Sequence, residues 1–433
     1  MDEVREKMKI TAVSGYKAVG RNMTGVSIGK ETIAIDNGIR LDTLQMYDGD
    51  TNTLRKRSVE ELISMDIIPK QDRLKNIIAQ LISHGHLDHI GALSINKPKV
   101  PIISTHYTAE LGRKEYKDGN FYSVDYNEEF EISRNFSVEF LEVTHSIPYA
   151  SIVVLHTDEG DVVYASDFRL DNHSQISMTD YKSLRRIGRE NPKVLIVEST
   201  RAWDPGKTPS ESVVRIKLRD VMELIDSGLI VATTFSTHIE RIQSILDEAE
   251  KSGRTPMIMG RSFSGQISIA ERFGILHLPP NARVFTTSKA IKRGLKEIRK
   301  RDDYLLLATG HQGEPTSVIS EIINGKFPFR FRRGDSIIFC ANTIPTPINY
   351  ATRYILETRL KSLGVRIFDN VHVSGHAARE DHRYLLNMIK PEHIIPCHGG
   401  LEMRSGYATL ALEEGYELNK SIHLLTNGDS IEI

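Results

Sequence analysis

Ser83-His84-Gly85-His86-Leu87-Asp88-His89 places four potential metal ligands within six residues. The apolar run Ile77–Ile82 before it reads as a β-strand, and residues 90–93 after it read as the start of a helix. The cluster is therefore expected on a strand-to-helix loop. His84 and His86, two positions apart, point the same way if the backbone is extended, and Asp88 and His89 can then turn toward a second ion. Imidazole and carboxylate are the ligands that Zn²⁺ or Mn²⁺ prefers. Gly85 removes a side chain where such a loop is crowded. A capped helix start would account for one histidine here; three histidines and an aspartate at this spacing point to metal.

Four residues do not complete two metal sites. Three further candidates follow apolar, strand-like runs: His145 in Val143-Thr144-His145-Ser146-Ile147-Pro148, Asp167 in Ala165-Ser166-Asp167-Phe168, and His398 between Pro396-Cys397 and Gly399-Gly400. Strand ends are where α/β sheets carry their active groups. Taken singly, each reads equally well as a cap or a buried hydrogen-bonding group. After the first motif they are its expected complement.

The chain has 433 residues, which predicts more than one domain. A hydrophobic fraction of 39% with 26% charged residues is that of a soluble globular protein. No apolar run approaches the ~18 residues of a membrane span, and residues 1–9 lack the apolar segment of a secretory signal. Two cysteines, Cys340 and Cys397, exclude a disulfide framework and point to a reducing cytoplasm. Expected strands at 33–35, 152–155, 162–165, 194–197 and 337–339 alternate with expected helices at 210–226, 239–251 and 352–363, an α/β pattern. The first 200 or so residues read as hairpins, with a turn at Asp158-Glu159-Gly160-Asp161. Residues 205–365 read as β-α units, and 421–433 as strand-like again around Asn427-Gly428-Asp429. That order predicts a βα insert between two parts of another domain. The net charge of −1 says nothing about nucleic acid by itself. Two local runs are basic: residues 289–301 hold seven Lys/Arg and one acid, Glu297, and Phe329-Arg330-Phe331-Arg332-Arg333 mixes aromatics with arginines. Both read first as solvated faces.

Through His84-x-His86-x-Asp88-His89, His145, Asp167 and His398 the chain resembles the metallo-β-lactamase superfamily. Glu198 in Ile196-Val197-Glu198-Ser199-Thr200, His376 in Ser374-Gly375-His376-Ala377, and His398 match the further marks of its β-CASP nuclease branch. The segments His372-Val373-Ser374-Gly375-His376-Ala377, Thr309-Gly310-His311-Gln312-Gly313-Glu314-Pro315 and Met259-Gly260-Arg261-Ser262 make it similar to the RNase J family in its short archaeal form. The resemblance implies a metallo-β-lactamase αββα sandwich (residues 1–203 and 366–433) with an inserted β-CASP α/β domain (204–365). It implies that His84, His86 and His145 hold one divalent cation, that Asp88, His89 and His398 hold the other, and that Asp167 bridges them. Zinc is the expected ion, manganese the alternative. Asp88, Glu198 and His376 are the expected catalytic residues, with His376 the proton donor to the leaving 3′-oxygen and Glu198 orienting or charging it. A pocket for a 5′-phosphate is expected from Arg261, Ser262, His372, Ser374, Gly375 and His376. Ser236 and His238, at a helix start leading to Arg241, are further candidate RNA contacts. The expected activity is 5′→3′ degradation of single-stranded RNA from a 5′-monophosphate end, releasing nucleoside monophosphates in the cytoplasm, with a homodimer left open. The alternatives are an endoribonuclease of the same branch and a small-molecule metallo-hydrolase, against which Glu198, His376 and the insert argue.

Overall fold

In the computed structural model, which describes residues 7–47, 54, 56–344 and 346–433, the strand Ser151–His156 is buried on both faces. Successive side chains of a strand point to opposite sides. Val153 and Leu155 enter a core with Ile10, Val26, Ile33, Leu81 and Ile196, while Ile152 and Val154 enter another with Leu184, Leu385 and Tyr407. A strand buried on both sides lies between two other layers. The first core joins two sheets. One has seven strands and includes Lys9–Ser14, Met23–Ile28, Glu31–Ile35 and Ile77–Ile82; the other has six and includes Ser137–Glu142, Ser151–His156, Val162–Ala165, Val194–Glu198 and His393–Cys397. The second core seats the helices Tyr181–Arg189, Arg379–Ile389 and Leu401–Glu413 on the outer face of the six-stranded sheet. In the seven-stranded sheet, Ala34 has the opposite parity to Ile33 and Ile35 and packs outward with Val13, Met23 and Leu74. This is the metallo-β-lactamase αββα sandwich.

The chain divides into two compact units: Met1–Asn172, Ser177–Thr208 and Gly375–Ile433 form the first, and His173–Ile176 with Pro209–Ser374 form the second. The piece His173–Ile176 joins the second because Glu240 accepts hydrogen bonds from Ser174 Oγ at 2.6 Å and Gln175 N at 2.9 Å. The second unit is a parallel six-stranded sheet of Arg283–Phe285, Thr255–Met259, Tyr304–Ala308, Ile230–Thr233, Ser336–Phe339 and Arg366–Phe368, in that spatial order. Its central strands read as unbroken apolar runs, such as Leu305-Leu306-Leu307-Ala308, because helices cover parallel sheets on both faces. Beyond the strand ends the fully buried Arg241 holds this unit together. It pairs with both carboxylate oxygens of Glu211 and donates to Cys340 O at 2.8 Å and Val373 O at 3.3 Å, with His372 Nδ1 also in contact.

Three expected elements differ. The helix after His86 begins at Leu87 rather than at 90, with His86 as its extended N-cap. The helix expected at 352–363 runs Pro347–Ser362: Thr346 caps Asn349 N, and Pro347 occupies the first turn, where a missing N–H is tolerated. Only Ser430–Glu432 of the expected terminal strand pairs, antiparallel to Lys9–Thr11. Ile422 bridges Ile394 in the other sheet, so the segment crosses between sheets and cannot stay one strand. Among the described residues, no helix is long and apolar enough to cross a membrane.

Candidate metal centre

Val162–Ala165, Val194–Glu198 and His393–Cys397 are neighbouring parallel strands. Parallel strands end at one edge, so Asp167, Glu198 and His398, which close or follow them, arrive together. His398 sits at φ +51°, a left-handed backbone that β-carbon sterics make uncommon outside glycine. His145 follows Ser137–Glu142 of the same sheet, and the run His84 to His89 follows Ile77–Ile82 of the other.

The seven candidate ligands fall into two groups that share Asp167. In the first, His86 Nδ1 lies 3.2 Å from His84 Nε2 and 3.1 Å from His145 Nε2. Asp167 Oδ2 is 3.7 Å and 3.6 Å from those two Nε2 atoms. In the second, His89 Nε2 is 3.5 Å from Asp88 Oδ2 and from Asp167 Oδ2, and His398 Nε2 is 3.8 Å from Asp88 Oδ2 and 3.4 Å from Asp167 Oδ1. Such spacings suit the edges of a coordination shell with ligand bonds of ~2.1 Å. Asp167 Oδ1 and His398 Nε2 are fully buried with no hydrogen-bond partner among the described residues. Buried polar atoms left so are costly, and a cation between these donors would satisfy them. Burial holds His84 and His145 well below the ordinary imidazole range and His86 at about 4, the neutral form that ligates metal.

A second layer orients these ligands, and the sequence reading missed it. Asp36, fully buried, accepts from Ser83 N at 2.9 Å and Tyr164 OH at 3.0 Å, and lies 2.7 Å from His89 Nδ1. Asn22 Oδ1 takes His398 Nδ1 at 2.8 Å, and Asn22 Nδ2 donates to Asp88 O at 3.1 Å. His145 Nδ1 donates to Gly375 O at 2.8 Å. Such partners fix which ring nitrogen faces the metal. Asp36 closes the apolar strand Glu31–Ile35, the same signal that marked Asp167; Asn22 carried no signal. The backbone is equally constrained. A β-carbon on Gly85 would stand 2.3 Å from Leu111 Cδ1, and one on Gly38 would stand 1.6 Å from Asp88 O. The second clash is backbone against backbone and cannot be relieved by a rotamer. Gly38→Ala is therefore expected to lower stability by about 3 kcal/mol and to weaken metal retention, as thermal melts with and without added Zn²⁺ would show.

Beside the ligands, His376 Nδ1 lies 3.0 Å and 3.1 Å from the two oxygens of Glu198, which is fully buried and also takes Phe168 N at 3.3 Å and the Thr200 hydroxyl. Burial opposes a charge on His376, but Glu198, backed by Asp167 and Asp88, outweighs it and pushes the imidazole up to about 9. Burial likewise opposes the Glu198 charge, and His376 reverses it, holding the carboxyl below its usual range. The His376 backbone is pinned too: Thr208 Oγ donates to His376 O at 2.7 Å, and Thr208 N donates to Asp381 Oδ2 at 2.7 Å.

All the metal-ligand candidates, Glu198, Gly375 and His376 belong to the first unit; Ser236, His238, Arg261, Ser262, His372 and Ser374 belong to the second. Arg261 and Ser262 are exposed in the first turn of Arg261–Arg272, directly after the strand Thr255–Met259. Ser236 is half-buried after Ile230–Thr233, and His372 and Ser374 are half-buried just ahead of Gly375. His238 is different. It is 1% exposed, its Nδ1 accepts from Arg241 N, and its Nε2 lies 3.6 Å from Glu211. Its ring caps Ile239–Lys251 from inside, which corrects its reading as an RNA contact.

Comparison with known proteins adds independent findings. Residues 227–357 match the model of the family described as "Ribonuclease J, beta-CASP domain", and residues 363–423 match that of the "Zn-dependent metallo-hydrolase RNA specificity domain". The chain is 42% identical over 442 residues to Ribonuclease J of Pyrococcus abyssi, covering 98% of this chain and 97% of that one. It is also 42% identical over 443 residues to Ribonuclease J of Methanocaldococcus jannaschii, covering 98% of each. A solved structure of a protein of unknown function from Enterococcus faecalis V583 superposes with a TM-score of 0.68 over 99% of this chain and 100% of that one; at 19% identity it speaks to fold alone.

Proposed function

The chain belongs to the ribonuclease J family, and from that premise we propose that it degrades single-stranded RNA in the 5′→3′ direction, preferring a 5′-monophosphate end and releasing nucleoside monophosphates. At the coarser level it is a metal-dependent hydrolase of RNA. The observation that supports metal-dependent hydrolysis is the pair of His/Asp groups sharing Asp167, with the Glu198–His376 pair at their side; direction and end preference are part of the proposal. His84, His86 and His145 would hold one ion, Asp88, His89 and His398 the second, and Asp167 both. Zinc suits this nitrogen-rich set best, with manganese the alternative. Two divalent cations, when bound, supply positive charge at the scissile phosphate and lower the pKa of water. The protein's own groups do the rest. Glu198 accepts a hydrogen bond from the protonated Nδ1 of His376 and favours the imidazolium, whose Nε2 proton would go to the leaving 3′-oxygen, the ring returning to neutral imidazole. Asp36 and Asn22 keep His89 and His398 turned inward. Arg261, with its planar fork of donors, and Ser262, Ser374 and Gly375 suit the 5′-phosphate.

The test is a time course on single-stranded RNA labelled at its 5′ end and bearing a monophosphate, a triphosphate or a hydroxyl, with matched DNA alongside. Immediate release of labelled mononucleotide, fastest from the monophosphate, is expected. Labelled fragments of intermediate length, indifferent to the 5′ group, would make the enzyme an endonuclease and remove the end pocket.

A further inference from the structure

The two basic runs of the sequence meet in space. At the amino-terminal edge of the second unit's parallel sheet, just ahead of the strands Ile230–Thr233, Tyr304–Ala308 and Ser336–Phe339, lies a surface cavity of about 500 Å³. Its wall carries Arg299, Lys300, Arg301, Arg332 and Arg333 against two acids, Asp302 and Asp335. Both acids serve the protein itself. Asp335 pairs with Arg301 and accepts from Arg332 N at 2.9 Å, and Asp302 accepts from Gly228 N at 2.5 Å. Lys300 pairs with Asp303 at 2.9 Å. The guanidinium groups of Arg299, Arg332 and Arg333 meet no carboxylate among the described residues. Like charges crowded around an open cavity repel one another, and an anion there relieves the repulsion.

A second observation extends the feature. The helix Ser288–Glu297 connects two strands of the same parallel sheet, Arg283–Phe285 and Tyr304–Ala308, so it runs back from the carboxyl edge toward the cavity. Lys289, Lys292 and Lys296 are exposed at i, i+3 and i+7, on one side of that helix. Glu297, the one acid of the run, is drawn to Arg283 at 2.5 Å. The stripe covers about 10 Å of helix and leads toward Arg299. The aromatics of the other run are withdrawn into the core: Phe329 and Phe331 are 8% and 4% exposed, and Arg301 lies over the Phe329 ring at 4.7 Å. Neither ring is presented for a base to stack on.

We propose that this cavity and stripe form a second RNA site, distinct from the metal centre of the first unit, which binds the phosphodiester backbone of a single strand by charge and without base recognition. Arginine forks suit phosphate oxygens, and absence of stacking makes the site indifferent to sequence. The proposal rests on the reading of this chain as an RNA-degrading enzyme.

The test compares the wild-type protein with an Arg299→Ala/Arg332→Ala/Arg333→Ala variant, all three being surface changes, with the thermal midpoint as the folding control. RNA binding is measured against salt for strands of about 5 and about 30 nucleotides, lengths that bracket a single-strand site. Losing three phosphate contacts should make the plot of log K against log salt shallower by about 2 for the long strand. KM for the long strand should rise about tenfold with kcat unchanged, and cleavage of the short strand should stay as it was. A Lys289→Ala/Lys292→Ala variant should shift the slope in the same direction by a smaller amount. An unchanged slope and KM in a folded triple variant would overturn the second site while leaving the enzyme reading intact. Failure of the wild-type protein to cleave either RNA would instead sink the enzyme reading. Displacement of RNA by inorganic phosphate beyond that by chloride of equal ionic strength would make the cavity a small-anion site and overturn the RNA assignment.

Discussion

Asp167→Asn is expected to abolish RNA cleavage, by a factor on the order of 10³ or more, and to strip most of the bound metal. Asp167 is the one residue common to both ligand groups. Its Oδ2 faces the Nε2 atoms of His84, His145 and His89 at 3.5–3.7 Å, and its Oδ1 faces that of His398 at 3.4 Å. Burial alone would raise this carboxyl. His398, His89 and His376 reverse that and hold it well below the usual carboxylate range, so it stays a full negative charge in the cluster. Asparagine preserves the shape but removes the charge and turns one acceptor into a donor, aimed where two cations are to sit. Both sites are then affected at once, which no other single ligand change would do. Metal content measured alongside cleavage checks this. A chelator should inactivate the wild-type enzyme, and added Zn²⁺ or Mn²⁺ should restore it but not the variant. A variant that kept both ions and full activity would end the two-metal account.

His376→Ala should leave metal content intact and lower kcat by about 10²–10⁴, with little change in KM for RNA. Glu198→Gln should follow it in direction with a smaller loss, because the imidazole remains but its anionic partner is gone. The geometry behind this is a dyad: Glu198 is fully buried and 3.0 Å from His376 Nδ1, while the His376 side chain keeps 26% of its surface exposed. One end of the imidazole is thus held by Glu198, while part of the side chain stays exposed. The double variant separates the roles. If Glu198 acts through His376, adding Glu198→Gln to His376→Ala should cost little more. Equal loss of metal in His376→Ala would mean that the residue holds the ligand shell together, through Gly375 O and His145, rather than donating a proton.

The candidate ligands that the structure brings together were legible because their signals are local. His84, His86, Asp88 and His89 lie within one loop, and His145, Asp167 and His398 each follow an apolar run whose end is visible without knowing which strand pairs with which. What surrounds them was not legible. Asn22 reaches His398 across 376 positions of chain, and nothing in its own neighbourhood marks it. His238 misled for the opposite reason: a histidine opening a helix looks available to phosphate, yet the same ring is buried against Glu211 and Arg241. The helix Pro347–Ser362 was expected to begin only at 352, because the cap at Thr346 depends on backbone geometry rather than on residue type alone.

The sequence by itself therefore determined the α/β class, the candidate ligands and the strand ends that carry them, since side-chain alternation and strand termination are short-range properties of the chain. Only the tertiary structure decided how those ends converge, which buried groups orient them, and where the two basic runs meet. These depend on the order of strands in the sheets, and that order is set by packing between segments hundreds of residues apart, which no local pattern records.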